Sequence, residues 1–512
     1  MKNKDFHGMI TRMLRSKWIQ IIVMLIILGA AIFFRTFELS LKPIHHDEAV
    51  NYYFLSKLIE EHDYQYNPTA YHGPILYFSS LPFNLGEITK ITLRIVPAIA
   101  GVAAVLAILL FSTEMGFWGA VAGGILLSIS PADVYFSRTF IHEIFYTCFA
   151  AWSFWCLVKF GGKGSKRALL FLPITLVLCF ASKETTPIWI LALAVSSFMT
   201  IEIRKILPRY QDASPFELSI RSFANTKHSL IDGIGISLTL WILLFSSFFL
   251  NPRGVLKSFL PYIPWIKIGF IEHTHDKSFW YFCKILYAYY WAPLIFCIPG
   301  IFASFRKNHG PGLLAFFTFL SSLLIYSSIP YKTPWCVLTI ALPIFVLAGV
   351  GAQVLFELGN AGKAALFAGL CFIIPAYSFQ SWNINFDRYD DDSEKIVYVQ
   401  TPRKYEQMFV NIDKVAAADG RGFSIPMLVI DAKNPCRFYL RHYRDWKFTK
   451  EVPEIIDRPI IMTKSDLLSD VILKLPGPYI KNKYESWPGT SVYLLIEKSL
   501  AEKAGIELDQ IK

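Results

Sequence analysis

Asp47 and Glu48 form an acidic pair about ten residues past the first long apolar stretch, directly after His45 and His46. A carboxylate placed there can take a proton from an attacking hydroxyl, a role worth roughly 10²–10⁴-fold in rate. Adjacent side chains on a helix diverge by about 100°, so the two acids are not expected to serve one atom. Asp47 is read as the base and Glu48 as its positioning partner. The competing reading is a solvated loop pair or a helix cap, because 49–59 has a helical pattern.

Further ionisable residues interrupt or flank apolar runs. Arg138 and Glu143 bracket the start of a fourth apolar segment. An arginine near a helix end can reach water along its own stem, whereas Glu143 lies several residues into the run and is too short to do so. Lys183 and Glu184 break an otherwise apolar stretch, as a polar hairpin tip would also do. Lys332 follows Tyr331 and precedes Pro334 and Trp335, a cation among interface aromatics that suits a lipid phosphate. Tyr71, His72, Gly73 and Pro74 form another polar motif. His45, His46, His72, His142, His273 and His275, with Asp47 and Asp276, could supply zinc ligands, but no HExxH occurs. A metal is not favoured, and no cofactor is required by the chemistry described here. The eight cysteines form no CxxC pair and read as small buried hydrophobes.

The elements that must hold these groups are membrane helices. Of 512 residues, 54% are hydrophobic and 17% charged, against about 25% charged in soluble domains. Eleven stretches are apolar enough to be spans: 18–37, 92–112, 116–131, 140–159, 168–182, 185–202, 230–250, 284–304, 312–329, 335–356 and 363–380. The third is short and the fifth is marginal. Lys2, Lys4, Arg12, Arg15 and Lys17 precede the first span. Lys159, Lys163, Lys166 and Arg167 follow the fourth, Arg204, Lys205 and Arg209 the sixth, and Arg306 and Lys307 the eighth. With these clusters inside, the N-terminus is cytoplasmic and every polar motif named above lies on the outer face of the cell membrane. A cleaved signal peptide is disfavoured, because 25–34 continues apolar without a small-x-small site.

After residue 384 the spans stop. Residues 385–512 read as a soluble extracytoplasmic α/β domain beside a transmembrane domain of 1–384. Strands are expected at 396–399, 426–430, 459–463 and 492–496, with a helix over 402–418. No GxGxxG or P-loop pattern occurs. The formal charge is +11, and residues from Asn385 onward carry 20 basic and 20 acidic groups. The excess therefore sits beside the apolar segments, which argues for topology and against nucleic-acid binding.

The order of these motifs resembles the GT-C superfamily of integral-membrane glycosyltransferases, including the protein-O-mannosyltransferase and aminoarabinose-transferase group. It is most similar to the bacterial and archaeal flippase-activity-associated subfamily of N-glycosylation. The residues carrying the resemblance are His46-Asp47-Glu48-Ala49, Tyr71-His72-Gly73-Pro74, Ser130-Pro131 with Tyr135 and Ser137-Arg138, Lys183-Glu184-Thr185, Lys332-Thr333-Pro334-Trp335, Tyr398-Val399-Gln400-Thr401, and Tyr439-Leu440-Arg441 with Tyr443. The resemblance implies a mainly α polytopic fold and transfer of a sugar from a polyprenyl-phosphate donor, with inversion, to a glycan, lipid or protein acceptor. It implies Asp47 as base, Glu143 as a second acid, and Arg138, Lys183 and Lys332 as cations for the donor phosphate. His46, Tyr71, His72 and Glu184 are further site candidates. Many relatives place the second acid closer to the arginine than Glu143 lies to Arg138.

Two other readings compete. A flippase, or a helper of one, for lipid-linked glycans should show polar residues deep in several spans and often an internal repeat. Neither is evident, and the ionisable residues crowd one face. A structural anchor leaves the outer carboxylates without a role.

Overall fold

A computed structural model describes residues 16–62, 64–208, 226–271, 276–506 and 509–510. The chain divides into two compact units. One is Met1–Leu39 with Glu61–Asp387, and the other is Ser40–Glu60 with Arg388–Lys512. This differs from a single cut at residue 384, because the segment carrying Asp47 groups with the C-terminal residues.

The larger unit is helical. Its long helices are Lys17–Thr36, Lys90–Leu109, His142–Lys163, Thr186–Ile206, Lys227–Phe245, Gly310–Ser328, Val337–Glu357 and Gly359–Trp382. Among the described residues, eight helices are long and apolar enough to cross a membrane, or up to ten if each of two bent pairs counts as one span. Each of the eleven expected stretches overlaps a helix, but the number eleven is not reproduced. Lys166–Phe180 has only 15 residues, short for a bilayer. Phe117–Ser128 bends by 57° into Pro131–Ser137. Ser130, ahead of Pro131, is extended at ψ 122, as the residue before a proline prefers. Tyr281–Tyr289 and Trp291–Arg306 meet at 99°. There Pro293 has no N–H to give to the carbonyl four residues back.

Val337–Glu357 is the core of this unit, buried along 337–352 and packed on Phe117–Ser128, Trp291–Arg306, Gly310–Ser328 and Gly359–Trp382. A side chain at Gly351 would put its Cβ 1.9 Å from the Phe296 carbonyl oxygen, and one at Gly300 would lie 2.2 Å from that of Leu347. Small residues let the two backbones touch, the usual device where helices must associate among lipid tails. Lys17–Thr36 instead exposes Trp18, Leu25, Ile26 and Phe33. Such a face is stable only against an apolar surround.

Polar groups tie the helix ends together. Lys159 pairs with Glu114 at 2.6 Å and Lys307 with Glu357 at 3.0 Å. Arg204 donates to the Asn308 carbonyl, and His309 Nε2 contacts the Glu114 carbonyl at 3.0 Å. These contacts collect the cations expected after the fourth, sixth and eighth spans at one end of the helices. Glu143, at the start of the helix that ends near Lys159 and Lys163, lies at the other end. Lys2, Lys4, Arg12, Arg15 and Arg209 are outside the described residues.

The smaller unit carries the helix His46–Glu61 and a six-stranded sheet. Its strands are β1 (Met427–Ile430), β2 (Trp446–Thr449), β3 (Ile460–Lys464), β4 (Tyr479–Trp487), β5 (Thr490–Glu497) and β6 (Asp509–Gln510), in the order β2-β1-β3-β5-β4-β6. β1 is parallel to β2 and β3; the remaining pairs are antiparallel. The helix Glu406–Asp419 buries Met408, Ile412 and Val415 in a core with Met427, Val429, Ile460 and Leu494. No strand forms at 396–399. Val399 has φ +52, outside the strand region, and the Tyr398 carbonyl is taken by His45 Nε2 at 2.8 Å.

Candidate active site

Asp47 stands in the first turn of His46–Glu61. The turn is capped on both sides. His45 Nδ1 accepts the Asp47 N–H at 3.0 Å, and Glu48 Oε2 accepts the His45 N–H at 2.9 Å. This resembles a capping box, with histidine at the N-cap taking the second helical N–H in place of the third. Glu48 is wholly buried, while the Asp47 side chain is 43% exposed and meets His46 Nδ1 at 3.1 Å. A helix N-terminus favours negative charge on such a group. His46 also stands edge-on to Trp487, with ring centroids 5.3 Å apart.

The segment ahead of this helix is fastened within its own unit. The Ile44 N–H donates to Tyr439 Oη at 2.8 Å, and Gln400 Nε2 donates to the Pro43 carbonyl at 3.2 Å. Tyr52 packs edge-on against Phe438, and Arg437 lies over the Tyr53 ring at 3.8 Å. Tyr398, Gln400 and Tyr439, three of the C-terminal motif residues, thus hold the acidic segment.

The second group of candidates forms a chain of alternating charge in the helical unit. Lys183 Nζ donates to Glu143 Oε1 at 2.8 Å, with both side chains 5% exposed. Beside it, His72 Nδ1 lies 2.9 Å from Glu184 Oε2. Partial burial opposes protonation of His72, but the Glu184 carboxylate and their hydrogen bond raise its pKa above the ordinary imidazole value. Burial likewise works against the Glu184 charge, yet His72, with Lys183 alongside, holds that carboxyl at about 2.

Backbone pairing brings these side chains together. The Gly73 N–H donates to the Ser182 carbonyl and the Ile75 N–H to that of Ala181, each at 3.1 Å. A Cβ on Gly73 would fall 2.0 Å from the Ala181 oxygen, so only glycine permits the approach. Tyr71 precedes it at φ +64 and ψ −45, a strained conformation for an aromatic residue. His142 Nε2 contacts the Gly73 carbonyl at 3.2 Å, and its ring lies 4.7 Å from that of His72.

Arg138 and Lys332 spend most of their donors on backbone. Arg138 is 1% exposed and donates to the Phe34, Phe37 and Glu38 carbonyls at the C-terminal end of Lys17–Thr36, with Phe386 under its guanidinium at 4.5 Å. Its Nε–H is buried and has no hydrogen-bond partner among the described residues. Lys332 Nζ donates to the Lys277, Ile329 and Pro330 carbonyls.

A polar network that the sequence reading passed over surrounds the bend at Ser130. Asp133 Oδ2 accepts from Ser130 Oγ at 2.6 Å and from Tyr290 Oη at 3.0 Å. Arg35 donates to Ser137 Oγ and to the Leu127 and Ser128 carbonyls. The available signal was a carboxylate three residues after Ser130 inside an apolar run. Among the described residues, no three His, Cys, Asp or Glu side chains gather as metal ligands would. His273 and His275 lie outside the described residues.

Residues 72–211 match the family described as dolichyl-phosphate-mannose-protein mannosyltransferase. In structure the chain is similar to ArnT from Cupriavidus metallidurans bound to undecaprenyl phosphate, with TM-score 0.64 and 11% identity over 95% of this chain and 99% of that one. The apo state of the same protein gives 0.63, at 12% identity over 93% and 98%. The archaeal oligosaccharyltransferase AglB from Archaeoglobus fulgidus, in complex with an inhibitory peptide and a dolichol-phosphate, gives 0.52 at 12% identity over 95% and 77%. No curated protein matches the chain in sequence. The fold is that shared by these ArnT and AglB structures, and the chain is a multi-pass membrane protein.

Proposed function

We propose that this protein transfers a sugar from a polyprenyl-phosphate donor to a hydroxyl-bearing acceptor on the extracytoplasmic face of the cell membrane, by a single inverting displacement. The observation that carries the reading is the fold shared, end to end, with a protein bound to undecaprenyl phosphate. Asp47 is the base. Its carboxylate is reachable, whereas Glu48 is enclosed and occupied as a cap. The acceptor oxygen bonds to the anomeric carbon, its proton passes to Asp47, and the bond to the phosphate oxygen breaks. The polyprenyl phosphate departs with the electron pair. Negative charge growing on that phosphate needs preplaced cations. Lys183 supplies one, and Glu143 balances it when no phosphate is bound. Arg138 supplies another, with its Nε–H free to meet an oxygen. Lys332, already saturated by three carbonyls, acts through its field. In this reading the N-terminus is cytoplasmic and the sheet-bearing unit extracytoplasmic.

The test is purified protein in liposomes with a panel of polyprenyl-phosphate sugars. Transfer should occur with inversion, read from the anomeric coupling of the product. Asp47→Asn should lose it by at least about 10²-fold while the protein stays folded. Neither transfer nor donor hydrolysis with any donor, or an Asp47→Asn variant as fast as wild type, would remove the reading.

A further inference from the structure

The sheet-bearing unit holds a concave feature on the helix Glu406–Asp419 and strand β4. It is a cavity of about 680 Å³, within the roughly 300–1,000 Å³ range of small-molecule sites. Arg403, Lys404, Lys414 and Lys483 line it against a single carboxylate, Glu406. Two of these five are already committed. Arg403 grips Asp390 with two nitrogens, and Glu406 accepts from Tyr439 Oη at 2.7 Å. Lys404, Lys414 and Lys483 have no side-chain hydrogen bond or ion pair among the described residues. They come from three places in the unit: the turn before the helix, the helix itself and β4. Like charges drawn into one hollow repel each other, and nothing in the fold requires them there.

The rest of the lining is amide and hydroxyl, with an apolar edge of Val410, Gly505 and Ile506. Asn411 and Asn482 each donate an N–H to Tyr484 Oη, at 2.9 and 3.2 Å, and their carbonyl oxygens accept from Gln407 Nε2 at 3.3 Å and from the Lys483 N–H at 2.9 Å, which leaves each oxygen one further lone pair. The Gln407 amide lies beside them. Tyr484 is the only aromatic residue in the lining and is itself buried, so no exposed ring is offered for a base or a sterol to stack on.

We infer that this cavity binds an acidic saccharide, the lysines taking its carboxylate or phosphate groups and the amides its hydroxyls. Ammonium groups select the anion, and the amide oxygens and N–H groups accept and donate to sugar hydroxyls.

The test is calorimetric titration of the full chain in lipid nanodiscs with trigalacturonate, maltotriose and inorganic phosphate. Trigalacturonate should bind at least about tenfold more tightly than maltotriose, as three weak charge pairs would give, and more tightly than phosphate. Added salt should weaken it. Lys404→Gln/Lys414→Gln/Lys483→Gln should lose that preference, and the triple Arg variant should keep it. Equal binding of the acidic and neutral trisaccharides overturns the inference, and this comparison needs only wild-type protein. Phosphate matching trigalacturonate, or a Gln variant that binds like wild type, overturns it too. No polyprenyl donor enters the assay, so its outcome is independent of the transferase reading.

Discussion

Lys183 and Glu143 form an ion pair of 2.8 Å in which both partners are almost fully enclosed. Taking both charges out of water costs several kcal/mol, and each partner offsets that cost for the other. Removing one alone is expected to destabilise the protein by about 3–5 kcal/mol. Glu143→Leu with Lys183→Met should cost far less than either change alone. Thermal unfolding in detergent of the two single variants and the double measures this, and additive losses would contradict it.

The His72–Glu184 pair gives a pH dependence of stability with a definite sign. His72 has a raised pKa, so its contribution is complete below 6.5 and is lost as pH climbs through the raised value. Glu184 has a lowered one, so its contribution is complete above 4.5 and is lost as pH falls towards about 2. Both are fully present between pH 4.5 and 6.5. His72→Gln should flatten the alkaline decline, which unfolding midpoints across pH would reveal. An unchanged profile would mean that the pair contributes nothing.

Gly73 touches the Ala181 backbone too closely for any side chain. Gly73→Ala should force 72–75 away from 181–182 and cost about 1–3 kcal/mol or more. The His72–Glu184 contact should separate with it, so the variant should also lose the pH dependence just described. A Gly73→Ala protein with wild-type stability and pH profile would refute the close approach.

The acidic pair should divide by role. Glu48→Ala removes the cap acceptor for His45 and should cost about 0.5–2 kcal/mol. Asp47→Asn should leave the unfolding midpoint where it was. If Asp47→Asn destabilised as much as Glu48→Ala, Asp47 would be another structural carboxylate.

Asp133 accepts two hydroxyls in the buried network around Ser130. Asp133→Leu strands both donors and should cost about 1–3 kcal/mol, with Asp133→Asn milder because one oxygen remains. Equal losses in the two variants would show that the hydrogen bonds are not what matters.

The helical part of the fold was legible because a run of apolar residues long enough to cross a bilayer is hard to mistake. The span count was not, because it depends on local geometry. Pro131 and Pro293 accompany bends that hydropathy does not register. In the sheet, β1, β3 and β5 are apolar and stood out. β4 carries Lys481, Lys483 and Glu485 on its open side and was missed. The stretch 396–399 has strand-forming side chains, yet the Tyr398 carbonyl goes to His45. Lys183 and Glu184 were visible as charges interrupting an apolar run. Their partners Glu143 and His72 lie 40 and 112 residues away, a pairing no local pattern encodes. Arg35 and Asp133 escaped for the same reason.

The fastening of Pro43–His45 by Tyr398, Gln400 and Tyr439 has a consequence for how this protein can be shortened. A truncation after Asp387 would keep every long apolar helix and still cut away the mooring of Asp47. The terminal quarter of the chain is therefore no detachable ornament: evolution could lengthen or redecorate its loops, but could not discard it without setting the acidic segment adrift.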